Sequence, residues 1–133
     1  MDRALQREVR RIASGRCEYC HLAESLPRLK HVVDHIIARQ HGGITALENL
    51  ALCCGRCNLS KGPNIAGLDP VTGTIVRLFH PRRDRWQEHF RWEGAALLGI
   101  TAVGRATVTT LAIDSPIRVA GRQVLLDEGL RFD

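Results

Sequence analysis

A chain of 133 residues and 14.8 kDa, 44% hydrophobic and 25% charged, has the length of one globular domain: enough for one core, and short enough to gain from a metal staple. No apolar run approaches the roughly 20 residues of a membrane span, and Met1 to Glu8 has no apolar core like that of a secretory signal. The expectation is a cytoplasmic protein with no membrane partner, in which paired cysteines are metal ligands and not disulfides. The net charge is +5, and only Lys30 and Lys61 among the 19 basic residues are lysines. Residues 1–62 carry 10 basic and 6 acidic side chains against 9 and 8 in residues 63–133, so the excess lies in the first half. Arginine's planar fork suits bidentate phosphate contacts, and such a surface suits a polyanionic partner.

In chain order, residues 2–13 read as an amphipathic helix with Leu5, Val9 and Ile12 on one face, stopped by Ser14-Gly15. Leu22 to Lys30 reads as a loop broken by Pro27, and His31 to Ile37 as a β-branched strand. His41-Gly42-Gly43 is a turn, Thr45 or Ala46 through Glu48 is one helical turn, and Asn49 to Cys53 is a returning strand. A helix then starts in the second cysteine pair and stops at Gly62-Pro63, soon after Lys61. Further on come a turn at Asp69 to Gly73, a strand at Thr74 to Phe79 and a helical stretch from Pro81 to His89. One or two short strands from Phe90 to Ile100 follow, then a helix capped by Thr101 and a last one opened by Ser115-Pro116. The fold class is α+β, with a core at 1–66 and a β+α extension at 67–133, expected to form one compact unit. Nothing from Ile65 onward looks catalytic.

Two Cys-x-x-Cys pairs, Cys17 with Cys20 and Cys54 with Cys57, have the spacing of a structural zinc site. Cys53 directly precedes Cys54, and the spacing leaves it as a core residue of the strand. Between the pairs stand Asp34, His35 and Asn49, with Asn58 just beyond. An isolated Asp-His pair is more often a turn carboxylate beside a core histidine. At the end of an apolar strand inside a zinc-closed loop, it can instead hold a hard cation and take a proton from water.

The ordered set Cys17-Glu18-Tyr19-Cys20, Val33-Asp34-His35-Ile36-Ile37, His41-Gly42-Gly43, Glu48-Asn49-Leu50 and Cys54-Gly55-Arg56-Cys57-Asn58 with Lys61-Gly62 resembles the HNH endonucleases of the ββα-metal (His-Me finger) fold. The resemblance covers about residues 15–62. It implies that Asp34 is a catalytic-metal ligand and His35 the general base, and that Asn49 braces the loop bearing the base. Asn58 stands in the place of the final histidine, making an H-N-N variant, and Gly62 stands where some members have one more histidine. Oxygen ligands at Asp34 and Asn58 favour magnesium or manganese over zinc at this second site.

The resulting expectation is a metal-dependent endonuclease hydrolysing DNA phosphodiester bonds, with RNA chemically acceptable too, acting as a monomer or homodimer. Lys61 and Arg56 on the helix, and Arg39 and His41 in the loop, are the candidate nucleic-acid contacts. Arg82, Arg83 and Arg85 form a further basic cluster. The competing expectation is a zinc module that binds nucleic acid without cutting it, for which a base beside a carboxylate would be idle.

Overall fold

In the computed structural model residues 1–25 and 30–133 are described, and the expected loop break at Pro27 lies outside them. Helix α1 (Arg3–Ile12) begins where the Asp2 carboxylate accepts the Leu5 N–H at 2.8 Å, and Arg10 and Arg11 in its last turn oppose the helix dipole. Its buried residue is Val9, which packs on Leu50 and Leu52 with Leu5 and Ala13 alongside. Ala13 thus takes the inward place expected of Ile12, which is 40% exposed.

Strand β1 (Val32–His35) pairs antiparallel with β2 (Leu50–Cys53), with Asp34 opposite Ala51 and His35 opposite Leu50. All four β2 residues are buried, because α1 covers this part of the sheet. Helix α2 (Gly55–Lys61) follows at once: the Cys54 sulfur caps it by accepting the Cys57 N–H, and Gly62 ends it at φ 51°. The order is strand, strand, helix, and α+β is the class of the whole chain.

The chain divides into two compact units, residues 1–65 with 80–83, and residues 66–79 with 84–133. Within the first unit Arg82 pairs with both carboxylate oxygens of Glu18, at 2.5 and 2.9 Å. This pair holds residues 81–84 as turns, so the helix expected from Pro81 starts only at Trp86.

In the second unit β3 (Ala66–Leu68), which the sequence did not suggest, pairs with β4 (Ile75–Arg77). Helix α3 (Trp86–His89) leads into the hairpin of β5 (Phe90–Glu93) and β6 (Ala96–Gly99). Helix α4 (Ala102–Thr110) is capped by the Thr101 hydroxyl, and α5 (Pro116–Asp127) has proline in its first turn. Trp86, Phe90 and Trp92 pack ring on ring, as packing residues should. Its buried charges are matched in pairs, Asp69 with Arg105 and Asp114 with Arg122. No described helix is long and apolar enough to cross a membrane.

Candidate metal and catalytic site

The first knuckle is laid onto β2 by its own backbone. Glu18 donates its N–H to Leu52 O at 2.9 Å, and the Glu18 carboxylate accepts the Leu52 N–H at 2.8 Å. Since β2 runs directly into α2, the second knuckle arrives beside the first. The sulfurs of Cys17, Cys20, Cys54 and Cys57 lie within 4.8 Å of one another, and all four residues are buried. Cys20 Sγ and Cys54 Sγ are 3.7 Å apart. The edge of a tetrahedron with bonds of about 2.3 Å is roughly 3.8 Å, so the cage has the size of a Cys₄ zinc site.

The four buried thiols compete for protons. Burial pushes the Cys17 thiol up, and the bonds they share with Cys17 raise Cys20 and Cys57. Cys54, which accepts from Cys17 and then from its other neighbours, is held well below its ordinary value. A buried dication is what allows all four to ionise together. Cys53 stays outside this set, buried on β2, as its spacing implied.

Asp34 and His35 stand at the exit of β1. Asp34 is half-buried, and its carboxylate makes no hydrogen bond among the described residues; the same holds for the carboxamide of Asn58 on α2. Both oxygens are thus uncommitted, which fits a hard cation with an incomplete protein shell. His35 Nε2 lies 2.8 Å from Thr45 Oγ1.

Asn49 is buried behind them. Its Oδ1 accepts the Ile37 N–H at 2.8 Å, and its Nδ2 donates to Ile37 O at 3.0 Å and Ile44 O at 2.8 Å. Its own carbonyl accepts the Ile36 N–H at 2.8 Å. One asparagine therefore closes the loop between β1 and β2 and fixes the chain just after His35. Gly43 makes that closure possible, because a Cβ there would lie 1.7 Å from Ile37 O.

The structure separates the four expected nucleic-acid contacts. Arg56, Arg39 and His41 are exposed, the last two on a 3₁₀ turn at Arg39–His41. Lys61 is not a surface cation: it is 1% exposed, and its Nζ donates to Ile36 O at 3.0 Å and His35 O at 3.5 Å. Desolvation pushes this ammonium below its ordinary value, while Asp34 and then Cys53 act to hold it up. In this conformation the Lys61 ammonium faces these two carbonyls and not the surface. Arg82, paired with Glu18 and mostly buried, likewise leaves the basic cluster, whereas Arg83 and Arg85 stay exposed. Thr45, Gly43 and Glu18 belong to the site's support; Thr45 carried no signal as a single residue of common type, and Gly43 and Glu18 stood in the motifs with no role read for them.

Two antiparallel strands and a helix, with four cysteines at the knuckles and an Asp-His pair at the strand exit, define a ββα-metal finger. Residues 17–64 match the family model described as HNH endonuclease, so the first unit carries an HNH domain. No curated protein and no solved structure matches the chain.

Proposed function

We propose that the HNH domain hydrolyses DNA phosphodiester bonds with a divalent cation, and that His35 is its general base. The observation that supports this reading most is the state of the His35 ring. One nitrogen is engaged by Thr45, the backbone behind it is fixed by Asn49, and an uncommitted carboxylate is its neighbour in sequence. With Nε2 protonated and donating to Thr45, Nδ1 keeps its lone pair for a water proton. The water oxygen then bonds to phosphorus and the bond from phosphorus to the 3′ oxygen breaks. The ends left are a 5′-phosphate and, once the leaving oxygen is protonated, a 3′-hydroxyl.

Asp34 and Asn58 are the residues that would hold the cation, magnesium or manganese by their oxygen donors. When bound, it supplies charge stabilisation to the phosphate and the leaving oxygen. The four cysteines hold a zinc that takes no chemical part, since a Cys₄ shell has no open position. Exposed Arg56, Arg39 and His41 serve as backbone contacts, in keeping with the basic excess of this half. The reducing cytoplasm, where four thiols persist, is the compartment that suits such a site.

The test is cleavage of supercoiled and linear DNA, single- and double-stranded, and of RNA, in magnesium and in manganese. Wild type should cut, and His35→Ala should lose about 10²- to 10⁴-fold in rate with its zinc retained. Equal cleavage by both proteins sinks the assignment of the base. Salt-sensitive DNA binding with no cleavage in any divalent metal would instead identify a non-catalytic zinc module.

A further inference from the structure

We propose that Lys61 is a positioning residue which, together with Asn49, grips the two peptide units after His35 and so fixes where the base stands. The inference rests on the nuclease reading of His35.

The peptide unit between His35 and Ile36 offers one carbonyl and one N–H, and so does the unit between Ile36 and Ile37. A trans peptide points these two groups in opposite directions. Lys61 Nζ donates to both carbonyls, at 3.5 Å to His35 O and 3.0 Å to Ile36 O. Asn49 takes both N–H groups: its main-chain oxygen holds Ile36 N–H, and its Oδ1 holds Ile37 N–H. Each peptide is therefore held at both edges by the same two residues. Main-chain pairing with β2 stops at His35, so nothing else in the sheet performs this task.

The burial of the lysine marks the contact as purposeful. An ammonium withdrawn from water is costly unless its protons are received, and two carbonyls receive two of the three here. Lys61 also ends the helix that carries Asn58 three residues earlier, so the two side chains share one helix face. At its other end that helix is fixed by Cys54 and Cys57 in the cysteine cage. Lys61 thus ties the element bearing one cation ligand to the segment bearing Asp34 and the base. Asn49 alone does not do this, since it bonds only within the strand-loop-strand segment.

The experiment uses the full zinc-loaded chain and the variant Lys61→Met, which keeps length and removes donors and charge. Amide hydrogen exchange at Ile36 and Ile37 should speed up by about tenfold or more with zinc content unchanged. Turnover on DNA should fall on the order of 100-fold, the cost of a small misplacement, while KM and the salt dependence of binding stay as in wild type. If Lys61→Met fails to load zinc, Lys61→Gln, which keeps a neutral N–H₂ donor, should change both readouts in the same direction and by less. Unchanged exchange at Ile36 and Ile37 overturns the proposal, and so does wild-type turnover despite faster exchange. A raised KM with a shallower salt slope and normal turnover would make Lys61 a phosphate contact instead. Should wild type itself fail to cut nucleic acid, the nuclease reading falls, while the exchange measurement still decides whether Lys61 holds these peptides.

Discussion

Thr45 holds His35 across the mouth of the loop: its hydroxyl lies 2.8 Å from Nε2 of a histidine ten residues earlier. The hydroxyl can serve either tautomer, but with Nε2–H donating to it the ring presents Nδ1 free. Thr45→Val removes this partner without changing side-chain shape. Turnover should drop by about tenfold, the worth of one hydrogen bond of roughly 1.4 kcal/mol, with KM for DNA unchanged. Thr45→Ser should cut at close to the wild-type rate. Full activity in Thr45→Val would show that the ring is oriented by something else.

Metal content separates adjacent cysteines. Cys53→Ala should purify with one zinc per chain, because its sulfur is not part of the cage. Cys54→Ala should lose the metal, the cap on α2 and the fold of the first unit together. Quantifying zinc by mass spectrometry and helicity by circular dichroism is sufficient. Loss of zinc from Cys53→Ala and retention by Cys54→Ala would reverse the assignment.

Neighbouring glycines should respond differently. At Gly42 the backbone is left-handed, with φ 87° and open space around a would-be Cβ, so Gly42→Ala should cost only about 1 kcal/mol. At Gly43 a Cβ would meet the backbone oxygen of Ile37 at 1.7 Å and Asn49 Nδ2 at 2.9 Å. The loop must move to accept it, which should cost about 3 kcal/mol and take Asn49 out of its bonds. Denaturant unfolding of the two variants compares them directly, and equal losses would contradict the structure.

The Glu18–Arg82 pair is largely withdrawn from water, with side-chain exposures of 12% and 13%. Arg82→Met leaves the carboxylate with only the Leu52 N–H, and should lower stability by about 3 kcal/mol. Replacing both partners by apolar residues should recover much of that loss, because no charge is then stranded. A double-mutant cycle measures the coupling, and a coupling near zero would reduce the pair to a surface contact.

Acid should weaken the second unit through Asp69. The Arg105 guanidinium, foremost among its partners, holds this carboxyl well below the usual carboxylate range, with the Val71 N–H and Thr72 hydroxyl adding to it. Because the folded pKa is depressed, the stabilisation is complete above the unfolded value near ~3.9 and is lost as pH falls through the folded value. The difference in melting temperature between wild type and Asp69→Asn should be constant above about pH 5 and shrink below about pH 4. A difference that grows on acidification would mean that Asp69 is not the group being titrated.

What could be read from the sequence was what chemistry fixes by spacing. Paired cysteines at close spacing suit one ion, and a β-branched or continuously apolar run must find a core, so the cage and the order strand, strand, helix were legible. Lys61 was not. A lysine at the end of a short helix looks like a solvated cation, and its real partners are carbonyls, which every residue carries. Ile12 and Ala13 show the same limit: both suit the helix face, and only the packing on Leu50 and Leu52 selects between them. Strand β3 was missed because Leu68 and its register partner Ile75 are both exposed, so no buried alternation marks it. The helix expected from Pro81 was cut short by Arg82, whose partner lies 64 residues away.

The cage also sets an order of events during synthesis. Cys20 and Cys54 are 34 residues apart, so the first two thiols leave the ribosome well before the second pair. Everything needed for β1, the loop and Asn49 is translated in that interval, whereas helix α2 follows only after Cys54. Asn58 follows the second cysteine pair, and so does Lys61, which bonds to the carbonyls of His35 and Ile36. A chain released before Cys54 would carry His35 and Asp34 without the helix that bears Asn58 and Lys61.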